Sequence, residues 1–370
     1  MRFFFFPTST TSQAHSRPAR RPPARPHAIP SRDLDAEGRP VPSPRPADPH
    51  ALAASLLEGG AAAATDAGGR AFSAVLVLGG GLTPDGACPP WVTRRLDAAY
   101  AIQQMQGVTR WRERETGREA GFLSIKKLTF SLSPFFPAAP TPIVLLGAGT
   151  PHKAPPLDPA SGRELWECTA GARYLAATHG VDLRGDGRGG GRGKKNGAAA
   201  PDARDGRPPP PFFLPPVLKE AASYDTVGNA LFALTTHALP GEWGALAVVT
   251  SSWHAPRAAA IFDTVFRLAS RAFRSSGGNG AGSPAPLPPF SLSYFATADD
   301  DLFPADILAA RAAREAASTA AWEADTAGFG SLKELHAWVH ASHACYAAGR
   351  QDEGRAAVNA GVDPKALASY

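Results

Sequence analysis

In Ala74-Val75-Leu76-Val77-Leu78-Gly79-Gly80-Gly81, five apolar residues without polar alternation run into three glycines. An uninterrupted valine- and leucine-rich run of this length reads as a strand covered on both faces, as in a parallel sheet. Glycines at its carboxyl end let the chain turn sharply and come close to another backbone or a ligand. Ligands of open α/β sheets collect at the carboxyl ends of the strands, so this octet proposes both an architecture and a place to look for function. It is not a dinucleotide fingerprint, because the third glycine of G-x-G-x-x-G would fall on Pro84. Nor is it a P-loop, since no Gly-Lys-Ser/Thr follows. Two readings of the glycines stand: a tight strand-to-helix turn, or a backbone cradle for an anion.

The pattern recurs along the chain. Ile143–Leu146 runs into Gly147-Ala148-Gly149-Thr150, and Ala245–Val249 runs into Thr250-Ser251-Ser252. Phe213-Leu214 or Val217-Leu218, and Leu292–Ala296, supply shorter strands. Between them fall helical patterns. Trp91–Met105 places Val92, Leu96, Ala99 and Gln103 on one face, and Glu167–Thr178 follows the second glycine loop. Ser223 is placed to cap a helix with an apolar stripe of Val227, Ala230, Leu231, Leu234 and Ala238. A helix opening near Pro256 runs to Ala272, and Ala305–Asp325 and Leu332–Ala348 close the chain as helices. This alternation predicts an α/β fold with a doubly wound, mostly parallel sheet.

The chain has 370 residues, of which 37 are glycine and 37 proline, and these are clustered. The clusters predict a leader over 1–50 and a single α/β domain over 51–370, with a short helix near Ala51–Leu57. Flexible insertions are expected at 184–211 and 275–289, where Gly, Pro, Arg and Lys cannot bury enough apolar surface to order the chain. Residues 109–140 lack a clean period and read as an insertion or as sequence added by the gene model. The formal charge of +5 belongs to the leader: residues 1–32 hold six arginines and no acidic residue, which leaves about −1 for the rest. A basic face suited to nucleic acid is therefore not expected. The Arg- and Ser-rich, acid-poor leader has the composition of an organelle transit peptide, with a plain disordered tail as the alternative. The expected location is intracellular: chloroplast or mitochondrion in the first case, cytoplasm in the second. No run reaches the roughly 18 apolar residues of a membrane span. Cys88, Cys168 and Cys345 are far apart and predict neither a disulfide framework nor a zinc site.

Three clusters could carry chemistry. Glu220-Ala-Ala-Ser223-Tyr-Asp225-Thr226-Val-Gly-Asn229 puts small polar groups in the first turn of a helix, where free N–H groups favour anions. Ser223 and Thr226 alone could form a simple cap, but Asn229 shares a face with Thr226. Thr250-Ser251-Ser252-Trp253-His254-Ala255-Pro256-Arg257 follows a buried strand. His254 could act as an acid or base, and Arg257, three residues on, could grip a phosphate or carboxylate. A serine nucleophile is not indicated, because G-x-S-x-G is absent. Arg94 and Arg95, after the glycine loop, are either two solvated cations or include one that points back to a pocket. His152 and Lys153 follow the second loop. His336, His340 and His343 have no acidic ligand beside them and read as surface or packing residues, so no metal site is predicted.

The order of these clusters resembles the domain of unknown function 218 family, the YdcF-, SanA- and ElyC-like proteins. The resemblance covers about 72–300 and rests on Gly79-Gly80-Gly81, Arg95-Leu96 with Ala99, the second glycine loop, Ser223-x-Asp225-Thr226-x-x-Asn229, and Val249-Thr250-Ser251 with His254-x-x-Arg257-Ala258. Pro151–Asp158 and the tail Leu332–Tyr346 look like a eukaryotic, algal or plant subgroup. The resemblance implies a Rossmann-like, three-layer αβα fold with a pocket at the strand ends. It implies little about the reaction: S-adenosylmethionine and other nucleotide-like ligands have been considered, as have roles in the cell envelope. The sequence shows no membrane anchor of the envelope type, which argues against that role here. The expected occupant is thus an anionic, nucleotide-like small molecule held by Gly79, Gly80, Gly81, Arg95, Gly147, Gly149, Thr150, Ser223, Asp225, Thr226, Asn229, Thr250, Ser251, His254 and Arg257. His254 is the candidate acid–base group. The alternatives are a non-catalytic interaction protein that keeps the fold, and a metal-independent hydrolase using a water activated by His254.

Overall fold

Strand β1 (Ala74–Leu78) lies at the centre of a five-stranded sheet in a computed structural model of the chain. The structure describes residues 65–120, 140–183, 216–276, 290–299, 301–353 and 364, all within one compact unit, Pro46–Tyr370. The leader, the Ala51–Leu57 helix, 184–211 and most of the other two expected insertions lie outside the described residues.

Chain order runs β1, α1 (Pro90–Ala120), β2 (Ile143–Leu146), α2 (Glu167–His179), β3 (Val217–Glu220), α3 (Thr226–Phe232), β4 (Ala245–Ser251), α4 (Ala255–Ser276), β5 (Ser291–Thr297), α5 (Ala305–Thr326) and α6 (Leu332–Ala341). The spatial order is β3-β2-β1-β4-β5, and every pairing is parallel. The register sets Val75 against Ile143 on one side and Ala247 on the other. The chain winds outward from β1 through β2 to β3, then returns to place β4 on the other side of β1. The switch point, where connections diverge and a crevice opens, therefore lies between the ends of β1 and β4.

The period of two along the strands divides the core into two layers. Leu76, Leu78, Val144, Leu146, Leu246 and Val248 face α3 and α4, where they meet Leu231, Ile261, Phe262, Val265 and Phe266. Val75, Val77, Ile143, Leu145, Ala247 and Val249 face α1 and α2, against Leu96, Ile102, Cys168 and Leu175. This is a Rossmann-like three-layer sandwich, all-parallel rather than mostly parallel.

Several boundaries differ from the sequence reading. Helix α1 continues past Met105 to Ala120. The cap of α3 is Asp225, not Ser223: its carboxylate accepts the Gly228 N–H at 2.9 Å. The apolar stripe read as one helix splits at Phe232, where α3 gives way to a π-helical turn, Ala233–Ala238, closed by Leu239 N–H to Leu234 O. Helix α6 ends at Ala341, short of Ala348.

Candidate functional site

The glycine loop is filled from within. Gly80 donates its N–H to Glu167 Oε2 at 2.9 Å, and Gly81 donates to the same carboxylate. Burial raises the pKa of Glu167, opposed by these two N–H groups and by Arg95. Trp91 Nε1 donates to Gly80 O at 2.9 Å, which fixes the other side of the same peptide. A Cβ on Gly79 would lie 2.3 Å from Glu167 Oε2 and 2.9 Å from Leu146 O. Glycine is required there for close approach, and Gly81 and Gly147 adopt φ of 87° and 119°. The cradle reading is corrected in one respect: the anion it holds is the protein's own, from the first turn of α2.

Arg95 does turn inward from α1. Its guanidinium is buried and ties the ends of two strands together. Nε and Nη2 donate to Ser251 Oγ at 3.0 and 2.7 Å, and Nη1 donates to Leu78 O at 3.2 Å and Gly79 O at 2.6 Å. Burial lowers its pKa to about 10, opposed by Asp299, Glu167 and Glu315. Arg94 points elsewhere and forms a bidentate pair with Asp301 at 2.6 and 2.9 Å.

His254 and Arg257 converge, as their spacing predicts, on a residue that the sequence reading missed. His254 Nδ1 lies 2.6 Å from Glu315 Oε2, and Arg257 Nη1 lies 3.4 Å from both Glu315 oxygens. On the other side of the ring, Nε2 lies 3.3 Å from Thr226 Oγ1. Burial lowers the pKa of His254, while Glu315 pulls it up and Arg257 and Arg95 push it down. Burial acts to raise Glu315, but His254, Arg257 and Arg314 outweigh it and hold the carboxyl at about 2. The pair at neutral pH is therefore a neutral imidazole with its proton on Nδ1, donated to an ionised carboxylate.

The Ser/Asp-Thr-Asn block divides its roles. Ser223 is fully buried, donates its hydroxyl to Glu220 and lies 2.5 Å from the Asn229 side-chain amide. Asp225 accepts from Gly228 N–H and from Tyr346 O–H at 2.8 Å, and pairs with His343 at 3.2 Å. The expectation that His343 has no acidic group beside it is thereby corrected: His343 Nε2 faces Asp225 with Cys345 near by, while Nδ1 accepts the Cys345 N–H, a bracket for the C-terminal segment.

A cleft of about 100 Å³, open to solvent, lies at the switch point. Of the predicted residues, Gly79, Gly80, Gly81, Arg95, Gly147, Gly149, Thr150, Asp225, Thr226, Asn229, His254 and Arg257 line it. Ser223, Thr250 and Ser251 do not; each is wholly buried behind the wall. Ser251 holds Arg95 there, and the Thr250 hydroxyl is buried on the face of β4 that carries Leu246 and Val248. Helix α5 adds Arg311, Arg314 and Glu315. Arg311 stacks its guanidinium 4.4 Å from the Trp253 ring and 4.2 Å from Phe303, and Arg314 Nη2 lies 2.7 Å from His152 Nε2. Four arginines, Arg95, Arg257, Arg311 and Arg314, thus meet three carboxylates, Glu167, Asp225 and Glu315. A second hollow of about 290 Å³ shares Gly81, Gly149, Thr150 and Glu167 and continues along Leu82, Pro84, Ala154, Pro155 and Leu165, with Lys153 beside them. None of the cysteines is activated: burial pushes Cys88 and Cys345 to about 12 and Cys168 to about 11.

No family model, curated protein or solved structure matches the chain. Among the described residues, no helix is long and apolar enough to cross a membrane.

Proposed function

We propose that the protein binds an anionic, nucleotide-like small molecule at the carboxyl ends of β1, β2 and β4. The observation that carries this reading is the convergence of Arg257, Arg311 and Arg314 with His254 and Asn229 on one open cleft at the switch point. Guanidinium groups on the wall of a cleft recognise phosphate or carboxylate oxygens through charge-assisted hydrogen bonds. The adjoining hollow, walled by Leu82, Pro84, Pro155 and Leu165, supports an uncharged ring or chain attached to that anion. The motif order that resembles the domain of unknown function 218 family supports the same reading, and we propose that the chain belongs to that family. A thermal-shift screen of nucleotides, nucleotide sugars and S-adenosylmethionine on the full chain tests it. A ligand at 100 times its Kd stabilises by about 2.7 kcal/mol. No shift from any anionic member of the panel would contradict the reading.

A further inference from the structure

We propose that Thr226, His254 and Glu315 form a relay that moves the phosphoryl group of a phosphate monoester first to Thr226 Oγ1 and then to water. This rests on the anion-binding reading above. Thr226 and His254 both line the cleft, and the three side chains lie in series: Oγ1 to Nε2 at 3.3 Å, and Nδ1 to Glu315 Oε2 at 2.6 Å. Glu315 is a positioning residue. By accepting the Nδ1–H hydrogen bond it leaves the Nε2 lone pair facing the threonine hydroxyl, which then donates to it. A nucleophile hydrogen-bonded to a base, with that base oriented by a third group, is the arrangement that activates a weak oxygen nucleophile. The charged groups facing the imidazole are Glu315 from α5, Arg95 from α1 and Arg257 from its own helix.

The surroundings select phosphoryl over acyl transfer. The Gly80 and Gly81 N–H groups, the obvious oxyanion donors, are taken by Glu167. The cleft is lined by Arg257, Arg311 and Arg314, and the several N–H donors of each guanidinium suit the several charged oxygens of a phosphate. In the first step Thr226 Oγ1 bonds to phosphorus, the ester P–O bond breaks, and the Oγ1 proton passes through His254 Nε2 to the leaving alcohol. In the second step water bonds to phosphorus and the Oγ1–P bond breaks. The water proton returns through Nε2 to Thr226, and inorganic phosphate leaves.

The test is turnover of 4-nitrophenyl phosphate by the full chain, with peptide mass spectrometry of the quenched enzyme. Wild type is expected to turn over and to carry phosphate on Thr226. Thr226→Val and His254→Gln should each lose at least about 100-fold, while Thr226→Ser, which retains a hydroxyl, should be at least about tenfold more active than Thr226→Val. Glu315→Gln should lose about 10- to 100-fold and move the acid limb of the pH–rate profile, which a merely structural residue would not do. Circular dichroism checks that each variant is folded. Phosphate on His254 instead, or wild-type turnover by a folded Thr226→Val, overturns the relay. Inorganic phosphate raising the melting temperature with no turnover overturns the relay alone. Absence of both effects removes the anion-binding reading as well.

Discussion

Gly80 gives its backbone N–H to the Glu167 carboxylate at 2.9 Å, across 87 residues of sequence. The first turn of α2 is thereby joined to the end of β1, and the glycine loop is closed by a residue of the protein itself. Removing the carboxylate should reopen it. Glu167→Ala leaves the Gly80 and Gly81 N–H groups without their acceptor, a loss of about 1–3 kcal/mol. Inorganic phosphate should then raise the melting temperature of the variant more than that of wild type. Melting in phosphate and in chloride at equal ionic strength checks this; equal shifts would count against an anion site in the loop.

Gly79 and Gly149 separate close approach from mere loop position. A Cβ on Gly79 meets Glu167 Oε2 and the Leu146 carbonyl, and a backbone carbonyl in a parallel ladder cannot move aside. Gly79→Ala should destabilise by about 1–3 kcal/mol in denaturant unfolding. Gly149→Ala meets only the Tyr224 ring, 3.8 Å away, and should stay within about 0.5 kcal/mol of wild type.

Arg95 predicts a chemistry-specific loss. Its planar fork serves Ser251 Oγ and two carbonyls at once. Arg95→Met keeps much of the buried stem but leaves those acceptors unpaired, which should cost about 2–4 kcal/mol. Arg95→Lys should recover less than half of that in the same unfolding experiment, because an ammonium cannot reproduce the fork.

Acid should loosen the site in a defined direction. His254 has a folded pKa below its unfolded value, so the unfolded chain binds the proton more readily. Its stabilising contribution is present above about pH 6.5 and declines as pH falls through the folded value. Glu315 is also depressed, so its contribution is present above its unfolded value of 4.5 and is lost as pH falls toward about 2. Melting temperature should therefore drop between pH 7 and 5, and His254→Gln should flatten that interval and also shrink the later fall below pH 4.5, because His254 is the foremost group holding the Glu315 carboxyl down. A His254→Gln curve parallel to wild type would contradict the assignment.

The buried strands were legible because continuous valine and leucine runs have few other uses, and the His254/Arg257 pair was legible because helical spacing puts both on one face. Glu315 was not. It lies in the alanine-rich helix α5, where a charged residue reads as solvated, and its partner is 61 residues away. A signal was nonetheless present. Arg311 and Glu315 stand eleven and seven residues before Trp322, so both share the inward stripe of α5, and all three are buried. Glu167 was hidden for another reason: an acidic residue opening a helix is explained by the helix dipole alone. Ser223, Thr250 and Ser251 stand at strand ends and beside a helix cap, positions that need not face the ligand. The pleat puts Thr250 on the α3/α4 face with Leu246 and Val248, and Ser251 is held by Arg95.

The most direct test of the central claim is calorimetric titration of the full chain with the nucleotide that stabilises it most in the thermal-shift screen. Arg257→Ala and Arg314→Ala are titrated beside wild type at low and raised salt. One molecule should bind per chain, raised salt should weaken binding, and each variant should lose about tenfold or more in Kd. Affinity unchanged by both substitutions and by salt would contradict an anion held in this cleft.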